Sequence, residues 1–138
     1  MTIRVLLVDD ETSFVETLAK RLAIRRFEVM TASSADEALK TLDREEVDVA
    51  VVDVRMAGTD GIEATRAIRA RHPSVEVILL TGHASIEASL EGLSIGAFDY
   101  LLKPVSIDEL IFKIEDAYRK QELHRAPESP GGTTADST

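Results

Sequence analysis

Val47-Asp48-Val49-Ala50-Val51-Val52-Asp53 is a short valine-rich run that ends abruptly on a carboxylate. A run of this length, bounded by turn signals, reads as a strand buried on both faces, as in the interior of a parallel sheet. Asp53 then stands where the strand leaves the core, at its carboxyl end. In an open α/β sheet that edge is where ligands bind. What Asp53 does there depends on which other strands deliver their ends to the same place.

On the amino-terminal side, Ile3–Val8 is a first strand that stops at Asp9-Asp10-Glu11. Phe14, Leu18 and Leu22, widened by Val15, form the apolar stripe of a helix. Phe27–Thr31 alternates as a second, more exposed strand, and Ser34 with Glu37 is a capping box opening a second helix that buries Ala35, Ala38, Leu39 and Leu42. Beyond Asp53 a loop leads from Val54 to Asp60. Asp60 caps a third helix, with Glu63 placed to reach back and Ile62, Thr65 and Ile68 facing inward. That helix ends at His72-Pro73, because a residue before proline resists the helical region.

Val75–Leu80 is the fourth strand, ending at Thr81-Gly82, and a fourth helix runs over about residues 84–93. It contains Gly92, at a cost of about 1 kcal/mol relative to alanine. Gly92 and Gly96 flank its last turn, which marks either a helix stop or a helix of low local stability. Phe98–Leu102 is the fifth strand, ending at Lys103-Pro104, and Ser106 with Glu109 caps a last helix that buries Ile107, Leu110, Ile111, Ile114 and Tyr118. This alternation predicts an α/β fold: a single five-stranded parallel sheet with helices on both faces. The domain is expected over 1–123. Residues 124–138, rich in Pro, Gly, Ser and Thr, lack the apolar content to order themselves and read as a disordered tail.

The chain has 138 residues, no cysteine and a formal net charge of −9. Disulfides, thiolate metal sites and thiol nucleophiles are thereby excluded. The acidic balance argues against direct nucleic-acid binding, which needs a basic footprint to neutralise phosphates. No stretch has the apolar length of a membrane span and no signal-peptide pattern precedes the first strand, so a cytoplasmic location is expected.

Asp9-Asp10, Asp53, Thr81 and Lys103 all follow strands, and in a parallel sheet those ends point the same way. Taken singly, an Asp or Thr after a strand is more often a cap or turn residue. Jointly they restrict the chemistry. Carboxylates held close together repel one another unless a cation neutralises them, and all-oxygen ligands favour a hard ion such as Mg²⁺. An ammonium and a hydroxyl beside that ion match the oxygens of a transferring phosphoryl group, with Asp53 as the nucleophile.

The motifs Val8-Asp9-Asp10-Glu11, Val52-Asp53-Val54-Arg55-Met56, Asp60-Gly61, Thr81-Gly82-His83-Ala84 and Asp99-Tyr100-Leu101-Leu102-Lys103-Pro104 closely resemble the receiver domain of bacterial response regulators. The resemblance covers about residues 3–122. It implies the doubly wound, flavodoxin-like strand order 2-1-3-4-5. It also implies that Asp53 is the phosphoacceptor, that Lys103 contacts phosphate, and that Mg²⁺ (or Mn²⁺) is held by Asp9, Asp10, Asp53 and the backbone carbonyl of Arg55. Thr81 and Tyr100 match the switch pair, and the Lys103–Pro104 bond is expected to be cis. Arg55 and His83 occupy positions from which side chains could gate water and tune the lifetime of the phosphoryl group. Many receivers have proline where this chain has Ala57, followed by Gly58, which leaves that loop freer by about 0.4–1 kcal/mol of unfolded-state entropy.

The resemblance implies a two-component signalling protein that catalyses only its own phosphotransfer and slow autodephosphorylation. Its partners would be a sensor histidine kinase or phosphotransfer protein, meeting the first helix near Thr12, Ser13 and Glu16. Output would pass to a protein target or a second copy through helix 4, strand 5 and helix 5. The chain would be either a stand-alone receiver or the front of a transcriptional regulator. The alternatives are weaker. A haloacid-dehalogenase-like phosphatase puts its nucleophile after strand 1 in a pattern with one residue between two aspartates, whereas Asp9 and Asp10 are adjacent. A flavin-binding domain would need a Ser/Thr-rich phosphate loop where Asp9-Asp10-Glu11 stands. A pure interaction module has no need of the acid–lysine–hydroxyl set.

Overall fold

Successive residues of β1 (Arg4–Val8) face opposite ways, as the pleat requires, and both faces are apolar. In chain order there follow α1 (Thr12–Ile24), β2 (Glu28–Ala32), α2 (Ala35–Arg44), β3 (Val49–Asp53), β4 (Arg55–Met56), β5 (Thr59–Asp60), α3 (Gly61–Arg71), β6 (Glu76–Thr81), α4 (Ile86–Ser94), β7 (Asp99–Leu102) and α5 (Ile107–Arg125). This is a computed structural model, and it describes residues 2–56, 59–82 and 85–125. Ala57, Gly58, His83 and the residues 126–138 of the expected tail lie outside the described residues. α5 itself runs to Arg125, into the stretch read as tail.

The main sheet has the order β2-β1-β3-β6-β7 with every neighbouring pair parallel, which is the expected doubly wound arrangement. Two cores result. Leu6, Val8, Ala50, Val52, Val77 and Leu79 pack with residues of α2, α3 and α4 on one face. Val5, Leu7, Val49, Val51, Ile78 and Leu80 pack with residues of α1 and α5 on the other. Each fully buried Val, Leu or Ile contributes about 1.5–3 kcal/mol of transfer free energy. β3 is buried throughout, Asp53 included.

The structure departs from the sequence reading in particulars. β4 and β5 form a short antiparallel ribbon, Arg55 opposite Asp60 and Met56 opposite Thr59, within what reads as a plain loop. Two residues a side carry no periodicity to reveal it. Ser34 caps α2 as expected, accepting from Glu37 N at 3.1 Å, but Glu37 turns back to Ser33 N and Oγ, at 2.6 and 2.9 Å. These bonds, the backbone one foremost, hold the Glu37 carboxyl below its ordinary range. Asp60 caps α3 through Ile62 N at 2.8 Å, while Glu63 pairs along the helix with Arg66 at 3.6 Å.

Gly96 has φ +114°, and beside it Gly96 N donates to Leu93 O and Ala97 N to Gly92 O, which closes α4 in a Schellman turn. Gly92 has a different reason: a Cβ there would lie 2.4 Å from Leu79 Cδ1 and 3.1 Å from Ile62 Cδ1. It lets α4 lie close on β6 and α3. Gly92→Ala gains about 1 kcal/mol of helix propensity but overpacks a filled core, at about 1–3 kcal/mol. A net loss of about 1 kcal/mol is expected in urea denaturation; a gain would mean that Leu79 swings aside without cost.

Candidate functional site

The register sets the site. Val8 lies beside Val52, Asp53 beside Leu80, and Thr81 beside Leu102, so the residues at or just past the ends of β1, β3, β6 and β7 emerge as neighbours on one edge. Lys103 Nζ lies 3.3 Å from Asp53 Oδ1, 3.3 Å from Asp9 Oδ2 and 3.7 Å from Glu11 Oε1. It also sits over the Phe14 ring, 4.7 Å from the centroid, where the negative face of the ring attracts it. The Lys103–Pro104 peptide is cis. Asp9 is fixed from both sides, its Oδ1 accepting from Glu11 N at 3.0 Å.

Asp53 is 7 % exposed and Asp9 4 %. Burial and then repulsion from Asp9 push the Asp53 carboxyl above its ordinary value, against the opposing pull of Lys103 and the Arg55 N–H bond. For Lys103, burial pulls downward, but Asp53 and Asp9 more than offset it and hold the ammonium above its ordinary value. The site therefore carries a fixed positive charge beside a carboxylate whose charge is poorly accommodated.

Oxygens of Asp9, Asp10 and Asp53 lie within 4.8 Å of one another. Asp9 and Asp53 share Lys103, and each of the three residues offers a carboxylate oxygen to the same spot. That donor chemistry fits a small hard cation such as Mg²⁺ or Mn²⁺.

Thr81 is 1 % exposed, and its hydroxyl donates to Gly82 O at 3.1 Å rather than to Asp53. It joins Glu11, Asp53, Arg55, Ser85 and Lys103 in lining a recess of about 290 Å³. Tyr100 stands apart from that lining, half-buried on β7 against the core shared with α4. The Arg55 side chain leaves the edge to donate from Nε to Ser85 Oγ at 2.7 Å.

The structure thus brings Asp9, Asp10, Asp53 and Lys103 together, places Thr81 and Arg55 on the wall, and sets Tyr100 to one side. Sequence reasoning missed four contributors. Glu11 was read only as part of the strand-end motif and Phe14 only as helix core, whereas both meet Lys103. Ser85 carried no signal beyond standing where a helix begins. Gly61 was visible in the Asp60-Gly61 motif but with no role attached, yet a Cβ there would meet Asp53 O at 2.2 Å and Val54 Cα at 2.7 Å. α3 can start against the end of β3 only because this residue lacks a side chain.

The family model for the response regulator receiver domain matches residues 5–115. Among curated proteins, the chain is 37% identical to the DNA-binding transcriptional regulator NtrC of Salmonella typhimurium, over 92% of this chain and 28% of that protein. It is 33% identical to the response regulator MprA of a Mycobacterium species, over all of this chain and 60% of that one. The chain thus spans about a quarter to three fifths of these relatives. Among solved structures, a response regulator receiver domain protein from Clostridium thermocellum superposes with a TM-score of 0.84 at 32% identity, over 88% of this chain and 98% of that one.

Proposed function

Because the chain belongs to the response regulator receiver domain family of two-component systems, we propose that Asp53 accepts a phosphoryl group from a phosphohistidine on a sensor kinase or phosphotransfer protein. The reading is carried by one observation: a buried carboxylate at a sheet edge, 3.3 Å from a lysine that also holds Asp9. An Asp53 carboxylate oxygen attacks phosphorus, the P–N bond breaks, and the leaving imidazole nitrogen keeps the electron pair and picks up a proton from solvent. Lys103 stands where it can neutralise charge on the phosphoryl oxygens. Asp9, Asp10, Asp53 and the Arg55 carbonyl would hold Mg²⁺ or Mn²⁺, which when bound supplies further charge neutralisation.

The new anion then draws the Thr81 hydroxyl away from Gly82 O, and Tyr100 moves into the space vacated. Arg55 and His83 tune how long the group survives, by admitting or excluding water. The signal leaves through α4, β7 and α5, where Leu90 and Phe112 are 54 % and 59 % exposed and offer apolar anchors for a target or a second copy. The kinase meets α1 near Thr12, Ser13 and Glu16. With a net charge of −9 the chain itself is a poor ligand for nucleic acid, whatever a longer regulator does. Among the described residues no helix is long and apolar enough to cross a membrane, which suits a cytoplasmic signalling role.

Incubation with acetyl phosphate and Mg²⁺ is expected to add one phosphoryl group, mapped by peptide mass spectrometry to the segment containing Asp53 and not to that containing Asp9 and Asp10. Chelation with EDTA is expected to abolish uptake. A label on the Asp9-Asp10 segment, or uptake indifferent to chelation, would overturn the assignment. Multiple turnover on a generic phosphate ester would favour a phosphatase.

A further inference from the structure

Ser85 immediately precedes α4, where a serine hydroxyl ordinarily accepts from an N–H of the first turn. Here it does not: α4 begins without a side-chain cap bond. Ser85 is 5 % exposed, and its hydroxyl accepts instead from Arg55 Nε at 2.7 Å. Elsewhere the fold takes such caps where they are offered, at Ser34 for α2 and Asp60 for α3. Ser85 differs from those two in its backbone, φ −119° and ψ 21° rather than extended, and its hydroxyl is engaged by another element.

The origin of that engagement matters. Arg55 opens β4, two residues after Asp53, and Arg55 and Ser85 line the same recess as Asp53, Thr81 and Lys103. One hydrogen bond therefore ties the segment that carries the acceptor to the residue just before α4.

We propose that Ser85 is a positioning residue shared between two partners: it holds the Arg55 side chain at the recess in the unmodified chain, and caps α4 when Arg55 lets go. What makes Arg55 let go rests on the phosphoacceptor reading. A phosphoryl group on Asp53 places strong anionic acceptors in the recess that Arg55 lines, and a charge-assisted bond from guanidinium to phosphoryl is stronger than one to a neutral hydroxyl. The guanidinium turns to the phosphoryl oxygens, and Ser85, its backbone moving to the extended form held by Ser34 and Asp60, presents its hydroxyl to the first turn of α4. The helix on the signalling face then gains its missing cap as Asp53 is modified. This path runs beside the Thr81–Tyr100 pair and needs neither of them.

The test is amide hydrogen exchange in the first turn of α4, at Glu87 and Ala88, in the full chain. Four proteins are compared without phosphodonor: wild type, Arg55→Ala, Ser85→Ala and the double variant. Freeing Ser85 by Arg55→Ala is expected to slow exchange about fivefold, the usual worth of a serine cap. In the Ser85→Ala background the same change is expected to do nothing. If the bond only braces the loop, Arg55→Ala accelerates exchange instead, and that result overturns the proposal. So does slowing that persists without Ser85.

A second arm adds acetyl phosphate and Mg²⁺, with uptake followed by mass. Wild-type α4 is expected to slow at the same amides, and phosphorylated Ser85→Ala to lose that response. An equal response in both overturns the coupling. Absence of uptake in the wild type overturns the acceptor reading and the coupling with it, while the four-protein comparison still decides whether Ser85 is shared.

Discussion

Asp53→Asn is expected to take up no phosphoryl group from acetyl phosphate and Mg²⁺, and yet to melt higher than the wild type when divalent cations are absent. The first effect follows from nucleophilicity, since a carboxamide has no anionic oxygen to attack phosphorus. The second follows from the electrostatics. Burial and Asp9 outweigh Lys103 and the Arg55 N–H bond in setting the Asp53 carboxyl, so its surroundings disfavour the charge on balance. Asparagine keeps the shape and removes that cost. The gain should be on the order of 1 kcal/mol, a few degrees in Tm for a domain of this size. Adding Mg²⁺ should narrow or reverse the difference, because an ion that binds only the folded wild type stabilises it by mass action. Thermal melts with EDTA and with Mg²⁺ check both signs. A variant that melts lower in EDTA would show that Lys103 over-compensates the acidic pair.

Gly61→Ala is expected to be among the most damaging single-methyl changes in the chain. The added carbon would sit 2.2 Å from Asp53 O and 2.7 Å from Val54 Cα. Both are backbone atoms, and neither can rotate aside as the end of a leucine can. The strand end is also pinned, since Val54 N donates to Leu80 O and Gly61 N to Val54 O. Either α3 lifts off the core that holds Ile62 and Ile68, or Asp53 shifts from its place beside Lys103. A loss of about 3 kcal/mol, the upper end of overpacking costs, is expected in urea denaturation. Phosphoryl uptake should fall with it, even at temperatures where the variant remains folded. Uptake at the wild-type rate in a destabilised variant would show that α3 had moved and the acceptor had not.

These two cases mark where sequence was informative. Asp53 could be read directly, because a strand buried on both faces is an apolar run and the first charge after it must lie at the edge. The same logic found Asp9, Thr81 and Lys103, and the strand order came from a family resemblance that the topology now bears out. The clearance that Gly61 and Gly92 provide could not be read. Each answers to clearance between elements far apart in sequence, and clearance leaves no periodic trace. Glu37 and Glu63 show a subtler limit. The local pattern places each where it can reach back to its cap residue, but Ser33 and Arg66 compete and win. Ser85 is the same problem reversed: the residue type suits a cap, and its partner is Arg55, 30 positions away.

Each of the four residues of β3 before Asp53 is committed to one of two cores, Val49 and Val51 to one, Ala50 and Val52 to the other. The strand therefore behaves as a measuring rod. Its residue types can be exchanged among β-branched and small apolar side chains with modest penalty, but its length is fixed. One residue more or fewer would trade every side chain between the cores and carry the terminal carboxylate away from its lysine. Substitutions are the currency in which this segment can vary, and insertions are closed to it. The reacting group is thus placed by counting, a form of information that composition does not record.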